Sequence, residues 1–166
     1  MSTVRPAFRS LELAEDLLIT GKEISNMSVF TPKEIEYLQS QRLGRLATVN
    51  PVGKPQIAPV GFRYNPELDA IDIGGRSMSN SKKFRNIREN PDISFVVDDV
   101  LPPWQPRGVE IRGTAQALPS GGKALFGDRY EADEGFIRIT PAQIIGWGID
   151  NQTYQPFNRK VEQKSS

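Results

Sequence analysis

The spacing of apolar residues changes period along the chain, and each change marks an element. Leu11, Ala14, Leu17 and Leu18 recur at helical spacing with Glu12, Glu15 and Asp16 between them. That pattern predicts a short amphipathic helix stopping near Gly21, packed on the domain or on a partner chain. Thr31-Pro32-Lys33-Glu34 predicts a second helix start. Thr31 is the N-cap, Pro32 takes the first helical position and Glu34 completes a capping box. This helix should end near Gln41, with Ile35, Leu38 and Leu43 on its buried face.

From Leu43 the period falls to two. Leu43–Val49 and Gln56–Tyr64 read as a hairpin around the turn Asn50-Pro51-Val52-Gly53. Ala70–Ile73 is a third strand and Ile93–Val97 a fourth, buried one. Asp98–Gly108 reads as a proline-rich loop carrying Trp104. Val109–Leu118 is a fifth strand, with Val109, Ile111, Gly113, Ala115 and Ala117 on one face. Pro119–Gly135 is a polar excursion with room for a short helix. Phe136–Thr140 and Ile144–Ile149 read as a sixth and a seventh strand separated at Pro141. Residues 1–26 form an N-terminal extension, 28–150 the domain, and 151–166 a polar tail expected to fray. Short strands with few helices predict a mainly β protein, a small antiparallel barrel.

Between the third and fourth strands lies Gly74–Pro91, GGRSMSNSKKFRNIRENP. It passes through two glycines and small polar residues into a short helix that Pro91 must stop. Ser79, Asn80 and Ser81 are all N-cap types. Lys82 and Lys83 then occupy the first turn, where the helix dipole is already positive. Two ammonium groups there suit a bound anion, commonly phosphate, or else they simply point into water. On the second strand, Pro59 removes a ladder donor and Gly61 a side chain. They mark an edge, a bulge, or the close approach of a ligand to the backbone.

Composition narrows the chemistry. The 166 residues suit one domain, with 37% hydrophobic and 25% charged side chains. The net charge of +1 argues against a protein whose main work is holding nucleic acid. There is no cysteine and no histidine. Disulfides, thiolate nucleophiles, zinc–thiolate sites, the usual general base and the Ser-His-Asp triad are therefore excluded. No apolar run approaches the roughly 18 residues of a membrane helix, and no signal-peptide pattern opens the chain, so a cytoplasmic protein is the expectation.

The hairpin RLGRLATVNPVGKPQIAPVGFRY, then IDIGG, SKKFRNIRENPDISFVVDD, RGVEIRGTAQAL and FIRITPAQIIGWGID resemble a known family. It is the split-barrel flavin and deazaflavin oxidoreductases related to pyridoxamine 5′-phosphate oxidase. Within it the match is to the branch of coenzyme F420-dependent enzymes. The resemblance spans about Ser28 to Asp150. It implies a six-stranded antiparallel split barrel, a homodimer, and a cofactor lying in a groove between subunits. Carried over by motif, the cofactor phosphate would meet Ser81, Lys82 and Lys83, with Asn86 one turn on. The ring would lie along Ala58-Pro59-Val60-Gly61, with Gly74 and Gly75 lining the same groove. Trp104, Trp147 and Gly148 would come from the partner subunit. A C-terminal arginine-bearing substrate motif after tryptophan, expected for oxidation of pyridoxamine phosphate, is missing: the chain reads Trp147-Gly148-Ile149-Asp150.

The resemblance also explains how a chain without His or Cys could do redox chemistry, because the cofactor carries the reaction. The expected activity is hydride transfer from reduced F420 to an unsaturated or carbonyl-type small molecule. Solvent or Tyr64 would supply a proton. FMN is the alternative cofactor, in an oxidase or reductase, and a non-catalytic carrier is the alternative role. Arg63 and Arg76 flank the expected groove, as surface residues or as anion contacts. Asp98-Asp99 read as loop residues or as partner-chain contacts, and no metal site is expected.

Overall fold

The computed structural model describes residues 28–127, 131–150 and 156–162. The N-terminal helix expected near Leu11–Leu18 lies outside them. Helix α1 (Pro32–Ser40) starts as its sequence dictates. Thr31 accepts from the Glu34 amide, and the Glu34 carboxylate accepts from the Thr31 amide. Its buried residues are Glu34, Tyr37 and Leu38.

Seven strands follow: β1 (Leu43–Val49), β2 (Pro55–Asn65), β3 (Ala70–Ile73), β4 (Asp92–Leu101), β5 (Gln105–Leu118), β6 (Phe136–Trp147) and β7 (Phe157–Lys160). Helix α2 (Lys82–Glu89) crosses between β3 and β4, and α3 (Gly122–Phe126) lies between β5 and β6. The sheet order is β3-β2-β1-β4-β5-β6-β7, and β3 pairs also with β6. That last pairing closes strands β1 to β6 into an antiparallel barrel and leaves β7 as a tab on β6. Inside are Leu46, Ile71, Ile73, Phe95, Val97, Val109, Ile111, Ile137, Ile139 and Ile144, each no more than 1% exposed.

Three boundaries differ from the sequence expectation. The proline-rich segment at 98–108 is largely strand, since β4 and β5 pair in unbroken register from Asp92↔Thr114 to Leu101↔Gln105. Only Pro102-Pro103-Trp104 turn, at the tip of a long hairpin. The two strands expected around Pro141 are one. Pro141 sits opposite Gly113, where the β5–β6 register slips, and a bulge tolerates a residue with no N–H. The tail expected to fray contributes β7, paired with β6 from Gly146↔Phe157 to Gln143↔Lys160. Arg159 of β7 holds it there, donating to both carboxylate oxygens of the fully buried Glu34 and to the Val29 carbonyl.

The seam of the barrel carries a second ion pair. Asp72 and Arg138 face each other across β3 and β6. Arg138 donates twice to Asp72, at 2.7 and 3.0 Å, and Asn65 donates to the same carboxylate at 2.9 Å. Asp72 is fully buried, and the charge-assisted bonds raise the Arg138 pKa further above its ordinary value.

Candidate functional site

Helix α2 packs against β1 and β5, and a cleft of about 240 Å³ opens between its first turn and the β1–β2 hairpin. Leu46 and Thr48 of β1, Gln56, Ile57 and Ala58 of β2, and Lys82 and Lys83 of α2 line it. The helix begins there for local reasons. Ser81 is the N-cap and accepts from the Phe84 amide, while the amide of Ser81 itself bonds back to Met78. Arg85 donates to the Asn80 carbonyl at 2.6 Å. No acidic residue stands in the first turn to balance the dipole.

Phe84 and Ile87 point to the core, which turns Lys83 toward the cleft and leaves Lys82 on the wetter side. Burial pulls the Lys83 pKa below its ordinary value, because a partly desolvated ammonium is held charged at a cost. The loop before the helix is fixed from the other side. Asp133 accepts from the Ser79 amide at 2.9 Å, and its own amide donates to the Gly75 carbonyl. The bonds its carboxylate accepts, first among them the one from the Ser79 amide, hold the Asp133 pKa below its ordinary value.

The residues named from sequence fall in several places. Ala58, Lys82 and Lys83 line the cleft, and Ser81 caps its helix. Pro59, Val60 and Gly61 continue along β2. Pro59 faces out, whereas Val60 is 5% exposed and belongs to the core. Gly74 is buried where a Cβ would strike the Phe126 ring, and Gly75 follows in the loop to α2. Trp104, Trp147 and Gly148 are on the β4–β5 tip and the end of β6. Trp104 is 75% exposed. Trp147 covers Gly108, where any side chain would collide with its ring. Gly148 takes a positive φ of 64° and lies against the Pro106 carbonyl, which only glycine allows there.

Asn86 is buried under the cleft, donating to Thr48 Oγ1 at 3.0 Å and to Gln56 Oε1 at 2.8 Å. Thr48 and Gln56 were not singled out from sequence; strict alternation from Ala58 back to Gln56 would have placed Gln56 on the same face.

Tyr64 lies far along β2 from Gln56 and is 8% exposed. Its hydroxyl meets Asp69 at 2.9 Å and Ser28 at 3.3 Å. Burial, with Asp69 adding to it, pushes its pKa up to about 12. Asp99 is held by Arg107 at 2.7 and 2.9 Å and by Tyr37 and Gln41, which fastens the base of the long hairpin to α1. Asp98 pairs with Arg45 at 2.9 Å. Arg63 donates to the Leu125 carbonyl, and Arg76 pairs with Glu131 at 3.9 Å. Among the described residues no group of acidic side chains could hold a metal ion, and no helix is long and apolar enough to cross a membrane.

The family model for pyridoxamine 5′-phosphate oxidase matches residues 30–148, from the cap of α1 through the end of β6. The chain belongs to the pyridoxamine 5′-phosphate oxidase family. Within this family a curated relative from Streptomyces rimosus, a 5a,11a-dehydrotetracycline/5a,11a-dehydrooxytetracycline reductase, is 48% identical over 123 residues. The aligned part is 73% of this chain and 84% of that protein. Solved structures share the split barrel at lower identity. General Stress Protein 26 from Bacillus anthracis has a TM-score of 0.58 at 22% identity, covering 78% of this chain and 96% of its own. A FAD binding protein from Mycobacterium smegmatis has a TM-score of 0.54 at 20% identity, covering 80% and 99%.

Proposed function

We propose that the protein is a reductase that uses reduced coenzyme F420 to saturate or reduce an unsaturated or carbonyl-type small molecule. The observation that carries the reading is the 48% identity to the Streptomyces rimosus protein, which is named as a reductase of a dehydro compound. The cleft supports it. Two lysines suit a phosphate group, while Leu46, Ile57 and Ala58 offer an apolar surface to a flat ring. Arg76, Lys82, Lys83, Arg85 and Arg88 fall within thirteen positions, a local concentration of basic side chains that would favour a longer polyanionic tail over a single phosphate.

When bound, the reduced deazaflavin supplies the hydride. The chain's own side chains bind, orient and exclude water, and proximity of two held reactants can contribute several kcal/mol. Tyr64, engaged by Asp69 at the far part of β2, leaves solvent as the proton source.

A second copy would complete the site. At about 240 Å³ the cleft is below the roughly 300–1,000 Å³ of ordinary ligand pockets, so most of a cofactor would lie outside it. Its outer wall, Ile57, is 70% exposed, and Leu43, 57% exposed, lies further along the same outer face of the β1–β2 hairpin, beyond Arg45 and Pro59. An apolar surface of this kind at the mouth of a cleft suits a homodimer.

FMN is the second cofactor reading, because the same fold serves a FAD binding protein. Titrating the purified protein with F420 and FMN, then following oxidation of reduced F420 with a dehydrotetracycline acceptor, tests the assignment. Tighter F420 binding that weakens with salt, and acceptor-dependent oxidation, are expected. Equal or tighter binding of FMN, or no turnover, would overturn the F420 reading.

A further inference from the structure

Asn86 has two amide hydrogens, and both are spent under the cleft, on Thr48 Oγ1 and Gln56 Oε1. That fixes what these two neighbours can present. With one lone pair of its oxygen taken from below, Thr48 keeps its hydroxyl hydrogen to give. With Oε1 turned down to Asn86, Gln56 turns its NH2 end away from the helix. Lys82 and Lys83, the remaining polar residues of the lining, carry donors and no acceptor. Among the described residues no carboxylate lines the cleft.

We propose that Asn86 is a positioning residue that sets the hydrogen-bond polarity of the cleft. Through Thr48 and Gln56 it turns donors into the lining, matched to a deprotonated phosphate group and mismatched to an ammonium head, which has no acceptor. The inference rests on the reading of this cleft as the cofactor's anion site, and it is independent of whether that cofactor is F420. Thr48 and Gln56 thereby join the lysines as groups that would touch the ligand, while Asn86 acts only through them. The rule has a direct physical reason. A buried donor facing a donor leaves both unsatisfied, whereas each donor facing a phosphate oxygen forms a charge-assisted bond.

Reversing the polarity tests this. Asn86→Asp cannot donate, so it would draw the Gln56 NH2 and the Thr48 hydroxyl downward and leave the Gln56 oxygen facing the cleft. Gln56→Glu places an anion there directly, at a half-exposed strand position that tolerates the change. FMN and riboflavin differ only in the phosphate, so titrating the full-length protein and both variants with each isolates the anion contribution. Both variants should bind FMN about ten- to a hundredfold more weakly, while riboflavin affinity stays within about threefold. Inorganic phosphate should compete with FMN on the parent protein and lose that effect in Gln56→Glu.

Thermal melts identify any variant that fails to fold, and Gln56→Glu decides if Asn86→Asp does. An unchanged FMN-to-riboflavin ratio in Gln56→Glu would overturn the proposal. So would equal losses for both ligands, which mark a packing effect, or a parent protein with no preference for FMN. Collapse of the ratio without any F420 turnover would leave the polarity rule standing and remove only the F420 reading.

Discussion

Lys83 shares its cleft with Leu46 and Ala58, and burial pulls its pKa below the ordinary 10.5. A base with a depressed folded pKa is destabilising while charged. The penalty is relieved as pH rises from the folded pKa toward 10.5. Lys83→Met keeps the apolar stem and removes the charge. It should raise the melting temperature of the protein without ligand at neutral pH, and weaken FMN or F420 by about ten- to a hundredfold. Lys82→Met, on the wetter side, should weaken them less. Paired melts and titrations check both; an unaltered affinity in Lys83→Met would place the anion elsewhere.

Tyr64 moves the other way. Its phenol ionises near 10.0 when unfolded and at about 12 when folded, so stability should fall as pH rises between those values, by about 2–3 kcal/mol. Tyr64→Phe should flatten this alkaline limb in urea titrations at stepped pH. Tyr37, also raised by burial and by Asp99, keeps some slope. The lysines were legible from sequence because charge of the wrong sign at a helix start is conspicuous. Thr48 and Gln56 were not, since one alternating polar residue looks like any other until Asn86, 30 residues further on from Gln56, arrives beside it.

At the level of elements, the long strands were legible through their alternation, and the helix starts through their caps. What misled was proline. At 102–103 it turns a hairpin whose arms stay paired, and at 141 it occupies a bulge, so neither ends a strand as far back as its local signal suggests. β7 was hidden because Phe-Asn-Arg-Lys has no apolar stripe; it is held by backbone pairing to β6 and by Arg159 on Glu34. The Asp72–Arg138 pair at the seam allows a quantitative test. Arg138→Leu leaves a fully buried carboxylate with only Asn65, and should cost about 3–5 kcal/mol in denaturant unfolding. Asp72→Leu combined with Arg138→Leu should cost clearly less than Arg138→Leu alone. A simple sum of the single effects would mean the two residues act separately.

For the whole molecule, the barrel followed from strand count and spacing, whereas its outer surface did not. Burial of alternate residues says which face points in, but not what meets the face pointing out. If a second copy covers Leu43 and Ile57, then Leu43→Asp should shift sedimentation toward monomer and weaken cofactor binding, although Leu43 does not line the cleft. Ile57→Asp, which touches both, should do so more strongly. A parent protein that sediments as a monomer with cofactor bound would rule the shared groove out.

The grip of Arg159 on Glu34 and on the Val29 carbonyl brings the two ends of the described body to within a side chain of each other, on one side of the barrel. The order in which the chain visits its elements is therefore separable from the shape they make. A short flexible linker from Glu162 to Ser28 would close the path, and new ends could be cut at Gly53, an exposed turn residue with open space around it. The rearranged chain should refold to the same far-ultraviolet spectrum, somewhat less stable for the divided β1–β2 turn. Failure to fold would show that the hairpin's continuity, and not only its pairing, is required to build the barrel.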